Sequence, residues 1–135
     1  ADRIYAGSLV MAEATAAAIL EDDPSVVSIV AMGWEGRART DEDEQCAFYL
    51  RNLLQGRSPD VESVRSLVLA GEESQKFGDP EKPHFHPRDL DIALRINSVP
   101  FAVVISRENG LLTARPRHVE TEGTGEWPNS HSVMK

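Results

Sequence analysis

The sequence predicts an α/β domain, with a partly parallel sheet flanked by helices and a C-terminal antiparallel hairpin. Three observations lead there. Residues 26–32, VVSIVAM, form a nearly continuous apolar run without polar/apolar alternation, which suits a strand covered on both faces, as in a parallel sheet. Helical spacing of apolar residues lies on either side of that run. A second apolar run, FAVVIS at 101–106, is followed by Asn109-Gly110, a strong hairpin signal. Helix, strand, helices, then paired strands make an α/β order. The domain is expected over residues 1–116, with a polar, poorly ordered tail at 117–135 docked through Trp127.

Each element has its own justification. Residues 4–7 are short and apolar and end in a glycine, fitting a brief strand. Ser8 is placed to cap an alanine-rich helix over residues 9–20, with Leu9, Ala12, Ala16, Ile19 and Leu20 on one face. Its small side chains predict close packing on a sheet. Pro24 disfavours helix at Asp23 and so ends it. After the 26–32 strand comes a glycine loop, Gly33-Trp34-Glu35-Gly36-Arg37. Thr40 then caps a helix whose third position, Asp43, would complete a capping box. Cys46, Ala47, Leu50, Leu53 and Leu54 line one side of that helix, and Gly56 stops it. Ser58 and Pro59 open a third helix that ends at Gly71. Residues 72–86 read as an ordered loop and residues 87–97 as a fourth helix. A sheet of two or three strands is thin, so a partner segment is expected.

Composition narrows the function. Apolar residues make up 41% of the 135 and charged residues 27%, the balance of a globular domain. A net charge of −8 argues against nucleic acid, because nothing would neutralise phosphates in number. The single cysteine, Cys46, excludes an internal disulfide and suits a reducing compartment. No apolar run approaches the roughly 20 residues of a membrane span. No signal peptide is visible, so a cytoplasmic location is expected. The first residue is Ala1, not Met, which is expected of a processed or cut end.

The candidate chemistry gathers behind the first apolar run, since open α/β sheets bind ligands at the carboxyl ends of their strands. Backbone N–H groups of Gly33 and Gly36 would cradle an anion, although a strand-to-helix turn needs glycine in any case; Arg37 and Arg39 would either pair with phosphate or sulfonate or balance the neighbouring acids. Four consecutive acids follow, from Asp41 through Glu42 and Asp43 to Glu44. They either stabilise a helix N-terminus or turn into the cleft to hold a hard cation. Mg²⁺ takes one or two protein carboxylates and leaves its other positions to water and phosphate; Glu42 and Asp43 are the best placed. A second cluster holds His84, His86, Asp89 and Asp91. His-x-His suggests a metal, yet it lacks any further ligand spacing, and a solvated or capping histidine is the better account. Cys46 lies in an apolar helix face and reads as packing rather than as a nucleophile.

The order of these segments resembles the C-terminal half of the 2-phosphosulfolactate phosphatase family. The resemblance rests on Gly7-Ser8-Leu9 opening an alanine-rich helix, on the strand leading into Gly33-Trp34-Glu35-Gly36, on Glu42-Asp43 followed by Cys46-Ala47, and on Asp89 and Val99-Pro100 further on. It spans roughly residues 5–106. It implies a Mg²⁺-dependent phosphoric monoester hydrolase that converts a small phosphate ester, 2-phosphosulfolactate, to 3-sulfolactate and phosphate, a step toward coenzyme M. It also implies Glu42 and Asp43 as catalytic and metal-binding residues, Asp89 as a further metal ligand, and Gly33, Gly36 and Arg37 as substrate-binding. Three departures accompany it. Met11 stands where the family has Asn, and Asn97 where it has Asp. The family's first half carries Asp-x-x-Arg-Ala-Thr, Gly-Asn-Ser-Pro and Asn-Gly-Thr segments that do not occur here. The resemblance therefore implies an N-terminal half on a separate chain, or a homo-oligomer. The competing class is a non-enzymatic acidic α/β module that binds an anion or a protein partner, its acids serving as helix caps.

Overall fold

The computed structural model describes residues 2–120. In chain order these form β1 (Ile4–Ala6), a 3₁₀ turn (Leu9–Met11), α1 (Ala12–Asp22), α2 (Asp41–Leu54), α3 (Val61–Ala70), a second 3₁₀ segment (Glu72–Lys76), α4 (Pro87–Ala93), β2 (Phe101–Glu108) and β3 (Leu111–His118). The expected polar tail begins too early at 117, because Arg117 and His118 close β3. Residues 121–135, with Trp127, lie outside the described residues.

The mixture of helices and sheet is as expected, but the sheet is antiparallel throughout the described residues, in the order β1-β2-β3. Ile4 pairs with Ile105 in one ladder and Val104 with Arg115 in the other. The expected hairpin is borne out: Asn109 and Gly110 both adopt positive φ, at 50° and 81°, as a type I′ turn demands. Strand pairing runs past the apolar run to the turn, with Arg107 opposite Leu112 and Glu108 opposite Leu111.

The parallel component is the expectation that is corrected. Residues 26–33 carry no helix, turn or bend, and residues 26–32 make no hydrogen bond to any described residue. A strand exists only by pairing, and among the described residues this segment has no neighbour to pair with. Its side chains are consequently exposed: Val26 at 78%, Val30 at 74% and Met32 at 70%.

The helices build the core. α1 starts three residues late, after the 3₁₀ turn at Leu9, and Ser8 makes no side-chain cap bond. It ends at Asp22 because Asp23 turns left-handed, at φ 46°. Ala12 and Ala18 are fully buried, so the absence of longer side chains lets the helix backbone approach β2 and α2 closely. Leu9, Tyr49, Leu50, Val64, Val68 and Leu94 complete the buried cluster, with Cys46 and Leu53 packed against it. α2 ends in a Schellman motif: Arg57 N–H donates to the Asn52 carbonyl at 2.9 Å and Gly56 N–H to Leu53 at 3.0 Å, with Gly56 at φ 76°. The cap of α3 is Asp60, not Ser58; its carboxylate accepts from Ser63 N–H at 2.9 Å and from the Ser63 hydroxyl at 2.6 Å. α4 is shorter than expected and stops at Ala93, because Asn97, at φ 58°, leads the chain away toward β2.

Candidate functional site

The glycine loop closes on itself. Trp34 N–H donates to the Ala38 carbonyl at 2.9 Å and Arg37 N–H returns to Trp34 O at 2.9 Å. Glu35 and Gly36 between them take left-handed φ values of 51° and 68°. Gly33 is fixed by sterics: at φ 66° a Cβ would lie 2.1 Å from the Ala38 carbonyl oxygen. The outer end of the loop is held by Lys76, whose ammonium lies 5.1 Å from the Trp34 ring centroid and 4.6 Å from that of Phe85, a cation–π arrangement.

The acids at the start of α2 take separate partners. The Asp43 carboxylate accepts from Gly33 N–H at 2.6 Å and so ties the loop to the helix. Asp41 accepts from Glu72 N–H at 3.2 Å. Glu44 pairs with Arg39. Glu42 is half-buried, and its side chain makes no hydrogen bond or ion pair among the described residues. The expected capping box does not form, since Asp43 has turned to Gly33 and Thr40 makes no side-chain cap bond. Thr40 is 5% exposed, and its hydroxyl oxygen is buried without a hydrogen-bond partner.

Beside them is an open cavity of about 170 Å³ lined by Met32, Gly33, Gly36, Arg37, Arg39, Thr40 and Glu44, with Ala31 and Ala38, and not by Asp41, Glu42 or Asp43. The structure thus brings Gly33, Gly36 and Arg37 into the lining of one cavity and places Asp43 against Gly33. Asp89 stands apart, exposed in the first turn of α4, with no contact to this site among the described residues. Sequence reasoning missed Thr40 as a cavity residue. The only signal was a hydroxyl residue at the loop–helix junction, which local pattern assigns to capping.

The histidine cluster is otherwise employed. His86 caps α4, its Nδ1 accepting from Arg88 N–H at 3.1 Å, and the His84 ring stacks at 4.3 Å on Phe85. Among the described residues no three His, Cys, Asp or Glu side chains are grouped as a metal centre. Cys46 is packed beside the core, and burial, reinforced by the Asp43 charge, pushes its thiol up to about 11. A thiol held so far above neutrality is not a nucleophile at pH 7. No known family model, curated protein or solved structure matches the chain.

Proposed function

We propose that the loop and helix start between Gly33 and Glu44 bind the phosphoryl group of a small phosphate ester, and that the chain belongs to a Mg²⁺-dependent phosphoric monoester hydrolase acting on a substrate such as 2-phosphosulfolactate. The observation that carries this reading is the Thr40 hydroxyl. A buried hydroxyl without a partner is destabilising by about 1–3 kcal/mol, and the residue that carries it, Thr40, is in the lining of a cavity beside Arg37 and the N-terminus of a fourteen-residue helix. A phosphoryl oxygen supplies the missing acceptor, and the guanidinium and the helix dipole favour its charge.

Four acids beside an anion are electrostatically unfavourable unless a cation intervenes. Mg²⁺, which neutralises phosphoryl charge when bound, needs only one or two protein carboxylates. Glu42, with no partner among the described residues, and Asp43, which gives one oxygen to Gly33, meet that minimum. Asp89 enters this proposal only through the resemblance. In hydrolysis a water oxygen bonds to phosphorus, the ester P–O bond breaks, and the departing alkoxide takes a proton. Arg37 and the loop N–H groups would hold the phosphoryl oxygens in line for that displacement.

A second reading rests on a specific observation: Asp41, Asp43 and Glu44 each already have a structural partner. On that reading the chain is an acidic binding module. Thr40→Val and Glu42→Ala separate the two. Thr40→Val removes an unsatisfied hydroxyl without changing shape, so it should raise the stability of the free protein by about 1 kcal/mol. The phosphatase reading adds that it weakens inorganic phosphate binding about tenfold, measured by titration calorimetry, and that Glu42→Ala abolishes Mg²⁺-dependent phosphate release at unchanged stability. Phosphate release that is absent, with and without Mg²⁺, from a preparation whose every chain is identified by mass would leave only the module.

A further inference from the structure

The glycine loop is anchored almost entirely by its near neighbours in sequence. The Trp34, Arg37 and Ala38 amides bond within residues 34–38, Gly33 N–H reaches Asp43, and Arg39 pairs with Glu44. All of these end in the loop itself or in the first turn of α2. Among the hydrogen bonds, ion pairs and ring contacts of the described residues, one joins the loop to a distant segment. It is the approach of the Lys76 ammonium to within 5.1 Å of the Trp34 ring centroid.

The Lys76 end of that contact is fixed. The Ser74 hydroxyl is buried and donates to the Val68 carbonyl at 2.6 Å, which ties the 3₁₀ segment Glu72–Lys76 to α3. Gly78 N–H donates to the Phe85 carbonyl at 3.2 Å, and the Phe77 and Phe85 rings meet edge to face at 5.5 Å. The same ammonium lies 5.9 Å from the Phe77 centroid and 4.6 Å from that of Phe85. Three rings thus share one cation. Two of them stand on the segment anchored to α3, and the third belongs to the loop. Trp34 is 53% exposed, so burial alone holds its ring weakly.

We propose that Lys76 is a positioning residue, a latch that keeps the glycine loop in the closed shape in which Gly33, Gly36 and Arg37 line one cavity. That this shape is the one that takes phosphate rests on the function proposed above; the latch itself does not. A cation–π contact at a partly exposed ring converts to about fivefold in the balance between closed and open loop.

The test digests the whole purified chain with an arginine-specific protease and follows each cut by mass spectrometry. Cleavage of the Arg37–Ala38 bond tracks the population of the open loop. Lys76→Met keeps the length and loses the charge, and should be cut there about fivefold faster than the wild type. Lys76→Arg keeps a cation and should stay near the wild-type rate. Cleavage after Arg51, inside α2, should be the same in all three, because only global unfolding exposes it. Trp34→Leu should speed the cut after Arg37 as much as Lys76→Met does, and the double variant should be no faster than either alone. An unchanged rate in Lys76→Met, an equal rise after Arg51, a failure of arginine to substitute, or additive effects in the double variant would overturn the latch. Inorganic phosphate should slow the cut after Arg37 in the wild type, since a ligand of the closed loop draws it away from the open one. If the variants behave as expected and phosphate gives no protection, the function proposed above fails and the latch stands.

Discussion

Asn97 joins three parts of the core with one side chain. Its Oδ1 accepts from Glu13 N–H at 3.0 Å, its Nδ2 donates to the Tyr49 hydroxyl at 2.9 Å, and its own N–H donates to the Leu9 carbonyl at 3.0 Å. It does this at φ 58°, where asparagine is tolerated better than most residues. Asn97→Ala should therefore destabilise the fold by about 3 kcal/mol and Asn97→Gly by about 1–2, since glycine keeps the backbone and loses only the side-chain bonds. Equal losses in urea denaturation would remove the backbone part of the account. Cys46 gives a second residue-scale expectation. With its thiol pushed from 9.0 up to about 11, labelling by a thiol reagent at pH 8 should be about 100-fold slower than in urea-unfolded protein. Its packing role was legible in the sequence, because an apolar helical face is a local pattern. The role of Asn97 was not: its bond to Glu13 reaches across 84 positions, and no local pattern records that.

Among the elements, the apolar faces of α2 and α3 and the β2–β3 hairpin could be read directly, since each depends on residues a few positions apart. Caps moved more. Asp60 took the place of Ser58 because its carboxylate reaches both donors of Ser63, and Asp60→Ala should lower stability. Asp60→Asn should retain most of the cap, which circular dichroism melts can compare. The strand expected at residues 26–32 shows the limit of element-level reading. The pattern correctly marked a segment suited to enclosure, but pairing is a property of two strands, and the described residues supply one. The candidate site was legible to the same degree. Gly33, Gly36 and Arg37 do line the same cavity, whereas the division of the acids among Glu72, Gly33 and Arg39 depended on where neighbouring segments came to rest.

Over the whole molecule, charge links β1 and the end of α1 to β3. Arg117 donates to the Tyr5 hydroxyl at 3.1 Å, to Asp22 at 2.9 Å and to Glu21 at 2.8 Å, and Arg3 approaches Asp22 at 3.5 Å. The Tyr5 hydroxyl, and after it Arg117, hold the Asp22 carboxyl below its ordinary 3.8. Ser63 does the same for Asp60 and Arg115 for Glu108. A carboxyl depressed by folding contributes stability that is present above its unfolded value and is lost as pH falls through the folded one. Stability should thus decline on acidification below the ordinary values of 4.5 for Glu108 and 3.8 for the aspartates. Asp22→Asn should flatten the decline measured by urea titration across pH 2–5. An unchanged acid limb would remove Asp22 from the account.

The same cluster sets the order in which a growing chain becomes a protein. Tyr5 and Arg117 lie 112 positions apart, and β1 finds its only described partner in β2, beyond every helix. Helices fold from contacts close in sequence, whereas such distant pairings come late. On the ribosome α1, α2 and α3 can therefore associate while β1 still waits with its edge open. The described sheet closes only when β3 emerges, and a stalled or shortened product ending before Arg117 would expose Tyr5, Asp22 and the unsealed sheet to quality control.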